Sequence, residues 1–251
     1  MMLLVLFCSL LPIADDALNV HIQQGDLAYS DFRTRDAITF YTQAYEADPQ
    51  NFTALSRLAR AWSDLGRLTL RRSDSSEVFY RNGLEYAQQL VAAHPDSATS
   101  WFLLALCHGS LTPFKSLAEK LDIAQDVEKN ALRSLEIDST YSMTYVLLAI
   151  YYRGVSRLSW LERTIVNGIL GRDIEGSLED SHRNLERALA FDPDNGFAYY
   201  ELSRTLQSLE RKDEALEALR KVVTFEPKNE RELQQQKDAR RRLERITSSD
   251  E

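Results

Sequence analysis

The chain is poor in residues that break helices, form cross-links or ligate metals. Of its 251 residues only six are proline and nine glycine. Leu, Ala, Glu and Arg, all strong helix formers, are abundant instead, which points to helix throughout. No run of alternating Val, Ile and Thr reads as a strand. Two cysteines are too few for a disulfide framework. Cys8 falls in an apolar N-terminal segment, and Cys107 reads as a small buried hydrophobe in an apolar helix. His108 follows it directly, and neighbours one residue apart face different sides of a helix, which argues against a thiol–imidazole pair. The four histidines are scattered without metal-ligand spacing, so no metal or other cofactor is expected. No nucleophile–base arrangement or glycine-rich phosphate loop can be read, so the chain is expected not to be an enzyme. A net charge of −8 makes nucleic acid a poor partner for the molecule as a whole. Hydrophobic residues at 44% with 27% charged exclude disorder.

Long apolar runs are also scarce. One opens the chain, Met1 to Ala14, and ends at Asp15-Asp16. It suits a secretory leader better than a membrane span, which needs about 20 residues. The expectation is export to a periplasm or the outside. Against it stand the lack of a preceding Lys or Arg and a poor cleavage site after Ala14. The alternative is a first helix packed on the body of a cytoplasmic protein. Any membrane contact is expected at the surface and not by a span.

What the chain does have is a repeated phrase. Asp48-Pro49, His94-Pro95, Asp138-Ser139, Asp192-Pro193 and Glu226-Pro227 each close a helix-like apolar stretch. The last interval, Pro193 to Pro227, is 34 residues, the period of a tetratricopeptide repeat. Within it Tyr199, Leu202, Ser203, Ala215, Val222 and Pro227 fall on positions that resemble that family's pattern. Small residues there let the two helices of a repeat approach closely. Gly25, Ala37, Tyr41, Ala44 and Pro49 match in the first repeat. The three middle intervals are 46, 44 and 54 residues, and their excess falls between the first and second helices. Gly66, Gly109 and Gly154 read as stops of the first helices. A charged stretch, 229–247, carries a narrow stripe of Leu233, Ala239, Leu243 and Ile246 and reads as a solvating cap. The expected fold is all-α: a right-handed α-solenoid of about five tetratricopeptide-like helix pairs with inserts and a C-terminal cap helix. The expected divisions are a leader 1–14, a solenoid 15–228, a capping helix 229–247 and a tail 248–251.

The stretched pattern carries a second resemblance. Leu58-Ala-Arg-Ala-Trp62, Gly83-Leu-Glu-Tyr-Ala87, Trp101 to Cys107 and Leu158-Ser-Trp-Leu-Glu-Arg163 occur in an order similar to that of the regulator of microtubule dynamics family. The resemblance implies a non-enzymatic helical domain and, in animals, an adaptor associated with microtubules or organelle membranes. An acidic chain gains no electrostatic attraction to the acidic surface of tubulin.

In tetratricopeptide arrays the first helices line a concave face, and the inward positions here are Ser56 and Arg60, Phe102 and Leu106, Val146, Ile150 and Arg153, and Tyr200 and Arg204. An apolar floor with arginines from three repeats suits carboxylate or phosphate. The leading expectation is a scaffold holding an acidic peptide or protein segment in this groove. An anionic lipid or similar amphiphile also fits, and residues 155–170, with an apolar stripe at Val155, Leu158, Leu161, Ile165 and Ile169, could cover it as a lid helix. The competing reading is a closed groove, its arginines paired internally with Glu or Asp. Arg57, Arg60, Arg67, Arg71, Arg72 and Arg81 read as a solvated insert, with an anion-binding edge as the alternative. Clamping of a terminal carboxylate is not indicated, because Ile22 and Asp26 occupy the positions that would do it.

Overall fold

A computed structural model describes residues 11–69, 73–159 and 175–247, and everything below refers to these. Eleven α-helices and one 3-10 turn occur among them, with no strand. The helices are α1 (Leu11–Ser30), α2 (Thr34–Ala47), α3 (Phe52–Leu68), α4 (Asp74–Ala93), α5 (Ala98–Ser110), α6 (Leu117–Ile137), α7 (Ser142–Val155), α8 (Leu178–Phe191), α9 (Gly196–Ser208), α10 (Lys212–Thr224) and α11 (Glu230–Thr247). Consecutive helices pack as five pairs, from α1 with α2 to α9 with α10. Each first helix also touches the next, α3 with α5, α5 with α7, and α7 with α9. The result is a file of antiparallel pairs, an α-solenoid.

The repeated phrase builds the joint between pairs. At Asp48, His94, Asp138 and Asp192 the carbonyl accepts the N–H three residues on, from Asn51, Ser97, Tyr141 and Asn195. Proline suits the second place of such a turn because its φ is already set. Ser139 takes that place without proline because the Asp138 carboxylate accepts hydrogen bonds from Thr140 N at 2.9 Å and Thr140 Oγ1 at 2.7 Å. The turn delivers a cap to the next helix: Asn51 Oδ1 accepts from Ala54 N at 3.1 Å, and Asn195 Oδ1 from Ala198 N at 3.0 Å.

Small residues set the distance within pairs. Ala28, Ala37 and Ala44 are fully buried in the first, and Gly25 lies under the ring of Tyr41 so closely that any Cβ would overlap it. Gly66 plays the same part for Tyr80. It therefore does not stop α3, which continues to Leu68, and Gly109 and Gly154 likewise lie inside α5 and α7. A glycine that receives a ring from the partner helix must sit within the helix, not after it.

The excess length of the second and third repeats is helix, not loop. The second helices α4 and α6 have 20 and 21 residues, whereas α2 has 14. Ser73 caps α4, and Ser116 with Glu119 forms a capping box on α6. Arg57, Arg60 and Arg67 accordingly stand on α3 and Arg81 on α4, while Arg71 and Arg72 lie outside the described residues. So do residues 1–10 of the apolar leader and 160–170 of the expected lid; residues 11–14 belong to α1.

The terminal helix differs most from expectation. Of its apolar stripe, Ala239 packs against Leu219 and Val222 of α10, with Leu243 beside them. Its first turn, however, reaches back across the solenoid to the first and second repeats. Glu230 Oε2 accepts a hydrogen bond from Thr34 Oγ1 at 2.9 Å, and Arg231 Nη1 donates to Asp64 Oδ1 at 3.2 Å. This end of the helix is an internal closure of the array and not a solvated cap.

Candidate functional site

The closure borders a half-open cavity of about 420 Å³, a size usual for ligand pockets. Its walls come from α3 (Arg60, Asp64), the turn before α9 with the start of that helix (Asp192 to Phe197), and the segment leading into α11 (Phe225 to Arg231). The N-terminal ends of two helices, α9 and α11, thus border it, and their partial positive charge favours an anion.

Asp64 organises the inner wall. One oxygen accepts from Tyr29 Oη at 2.5 Å, the other from Arg231 at 3.2 Å. Burial, together with the Asp64 carboxylate, pushes the Tyr29 phenol well above its usual range, so it stays protonated and donates. Arg60 rests over the Phe102 ring, 5.4 Å from its centroid. Burial opposes its charge, but Asp64 and Tyr29 more than offset this and hold the guanidinium above its ordinary range.

Arg231 is a buried charge with unmatched donors. Its side chain is only 7% exposed and stacks on Phe197 at 4.0 Å. Burial, with Arg67 beside it, lowers its proton affinity. Its Nε and Nη2 are buried and make no hydrogen bond. A buried N–H without an acceptor costs of order 1–3 kcal/mol, and more on a charged group. The Nε–Nη2 side of a guanidinium is a fork that a carboxylate or phosphate takes with two oxygens.

The inward residues read from the sequence divide sharply. Arg60 lines the cavity. Arg153 is buried and spent, with Nη2 bound to Glu201 Oε2 and Nη1 donating to Thr205 Oγ1 at 2.9 Å and the Glu201 carbonyl at 3.1 Å. Arg204 reaches the same carboxylate at 3.2 Å. Burial works against charge on Glu201, but Arg153 and Arg204 outweigh it and keep the carboxyl below the usual range. Phe102, Leu106 and Val146 are core residues, and Ile150 packs with Val146, Ala149 and Leu185. Ser56 bonds back to Thr53 O at 3.0 Å. Tyr200 donates to Asp238 of α11 at 2.8 Å and is flanked by Arg204 and Arg242. The internal pairing weighed for the groove therefore holds at Arg153 and Arg204, and the buried cation that joins Arg60 in the cavity is Arg231, which lies off the apolar stripe of its helix. Cys107 is buried, its thiol pushed up to about 12 by desolvation.

The family model of regulator of microtubule dynamics proteins 1-3 matches residues 21–247. The chain belongs to this family. Its similarity to regulator of microtubule dynamics protein 1 of Bos taurus is 22% identity over 172 residues, 68% of this chain and 54% of the relative. With protein 3 of Rattus norvegicus it shares 24% over 139 residues, 55% of this chain and 29% of the relative. The chain thus spans about half or less of these regulator proteins. Among solved structures it resembles a thermophilic TPR protein of Thermus thermophilus, with a TM-score of 0.65 at 20% identity over 92% of this chain and 96% of that one. PilF of Pseudomonas aeruginosa matches with a TM-score of 0.54 at 15% identity, over 94% and 89%. At these identities the structures speak for the fold alone. For a regulator of microtubule dynamics relative of this architecture, a protein-interaction scaffold or adaptor is the indicated role, and such folds are typically non-catalytic. Among the described residues no helix is long and apolar enough to cross a membrane.

Proposed function

We propose that this chain is an interaction scaffold that receives an anionic group of a protein segment in its central cavity, with Arg60 and Arg231 as the receiving cations. One observation carries the reading: Arg231 is buried at the cavity wall with two N–H groups unmatched. Native structures rarely leave such donors without acceptors; both atoms are closed off from solvent, so an oxyanion supplies them by entering with a shift of the cavity wall. Arg60, stacked on Phe102, approaches from the opposite helix and adds a second charge. Arg153 and Arg204 are paired with Glu201 and leave little for a ligand.

Fluorescence anisotropy with labelled peptides that carry a central Glu tests the proposal. Arg60→Met is expected to weaken binding by about tenfold or more, the worth of a charge-assisted hydrogen bond. Arg204→Met is expected to leave it nearly unchanged. Equal affinity of wild type and Arg60→Met would remove the cavity from the function.

A further inference from the structure

The cavity carries opposite signs at its two ends. Inside stand Arg60 and the buried Arg231, with Asp64 as their shared counter-charge. The mouth is acidic: Asp192, Asp194, Glu226 and Glu232 border it, with Lys228 the cation among them. Asp194, Glu226 and Lys228 are exposed, whereas Asp64 and Arg231 are buried, which orders the signs from inside to outside. Asp192 and Glu232 are partly occupied by local bonds, to Asn195 Nδ2 at 3.1 Å and to Lys228 N at 2.8 Å.

A uniformly acidic segment meets repulsion at this mouth, added to the molecule's net charge of −8. A uniformly basic one satisfies the mouth and leaves Arg231 unmatched. We infer that the occupant is two-signed: a polypeptide segment that seats one Asp or Glu side chain between Arg60 and Arg231 while Lys or Arg residues beside it in sequence lie over Asp194 and Glu226. This deepens the reading above and rests on it. The charged side chains at both ends of the cavity favour such a segment over the acyl chain of a lipid, which would leave them desolvated and unpaired. The arrangement also supplies selectivity, since the acidic mouth rejects anions that lack a neighbouring cation.

Three synthetic decapeptides in a Gly/Ser/Ala background decide it: one with a central Glu flanked by two Lys, one with the same Glu flanked by two further Glu, and one with Lys flanking a central Gln. Each is titrated against wild type, Arg60→Met and the double variant Asp194→Asn/Glu226→Gln, whose changes are at exposed positions. The Lys-Glu-Lys peptide is expected to bind wild type tightest, by about three- to tenfold over the all-Glu peptide, and to lose that preference in the double variant. It should lose binding in Arg60→Met. The Gln-centred peptide is expected to bind weakest. Tighter binding of the all-Glu peptide to wild type, or an unchanged preference in the double variant, overturns the two-signed occupant while leaving the anionic cavity standing. Indifference of every peptide to Arg60→Met overturns both. Cosedimentation with phosphatidylcholine or phosphatidic acid vesicles that depends on Arg60, with no peptide binding, would also overturn the inference in favour of a lipid headgroup.

Discussion

Asp64 and Arg231, 167 positions apart in sequence, form a buried ion pair at 3.2 Å, and Tyr29 Oη completes the carboxylate's shell. Three distant parts of the chain meet at this one side chain: the first repeat, the second, and the terminal helix.

Removing the carboxylate leaves a buried guanidinium with no counter-charge. Asp64→Ala is expected to destabilise the fold by about 3–5 kcal/mol in urea unfolding. Adding Arg231→Met should restore much of that loss, because it withdraws the stranded charge. A double variant no more stable than Asp64→Ala would mean that the pair is not coupled in this way.

Glu201 sets the acid limb of stability. Its carboxyl is held below the usual range in the folded protein, so on acidification the unfolded chain takes up this proton first. Its contribution is therefore complete above the ordinary glutamate value of about 4.3 and fades as the pH falls further. Thermal melts of Glu201→Gln should show lower stability at pH 7, since Arg153 loses its partner, and a shallower decline below pH 4. Parallel acid limbs for variant and wild type would refute this.

Cys107 is expected to be inert in the native state. Its thiol is buried, donates to Ala59 O at 3.5 Å, and titrates at about 12. Thiolate attack needs the ionised form, so iodoacetamide at pH 8 should leave this residue unlabelled until denaturant is added. Peptide mapping distinguishes it from Cys8. Rapid native labelling at Cys107 would contradict its burial.

Glu210 ends α9 in the left-handed region, with φ of 61°, and Arg211 N closes the turn onto Leu206 O at 3.0 Å. A side chain there costs roughly 1–2 kcal/mol that glycine avoids. Glu210→Gly should raise stability by about 1 kcal/mol in chemical denaturation. A loss of stability instead would show that the exposed Glu210 side chain makes a compensating contact.

The joints between repeats were legible because a turn is a local device: aspartate, proline and a capping Asn lie within four residues of one another. The long second helices were less so. Ser116 followed by Glu119 is a capping box open to reading, yet repeat length alone suggests loops. Gly66 misleads for a related reason, since a glycine that ends a helix and one that seats a facing ring look alike until Tyr80 is placed. Arg60 could be assigned to the inner wall from repeat register. Register could not show that Glu201 lies where it absorbs both Arg153 and Arg204. Arg231 was beyond reach altogether, because its partner depends on how far five stacked pairs curve.

That curvature makes the molecule something other than a string of separable units. In an open array the end piece can fray without consequence for the start. Here the strap from Glu230 and Arg231 to Thr34 and Asp64 joins the start of the terminal helix to the first two repeats, so strain at either extremity is felt at the other. Trimming the tail before residue 230 should therefore loosen the opening repeats, and the chain should melt as a hoop rather than peel like a ladder.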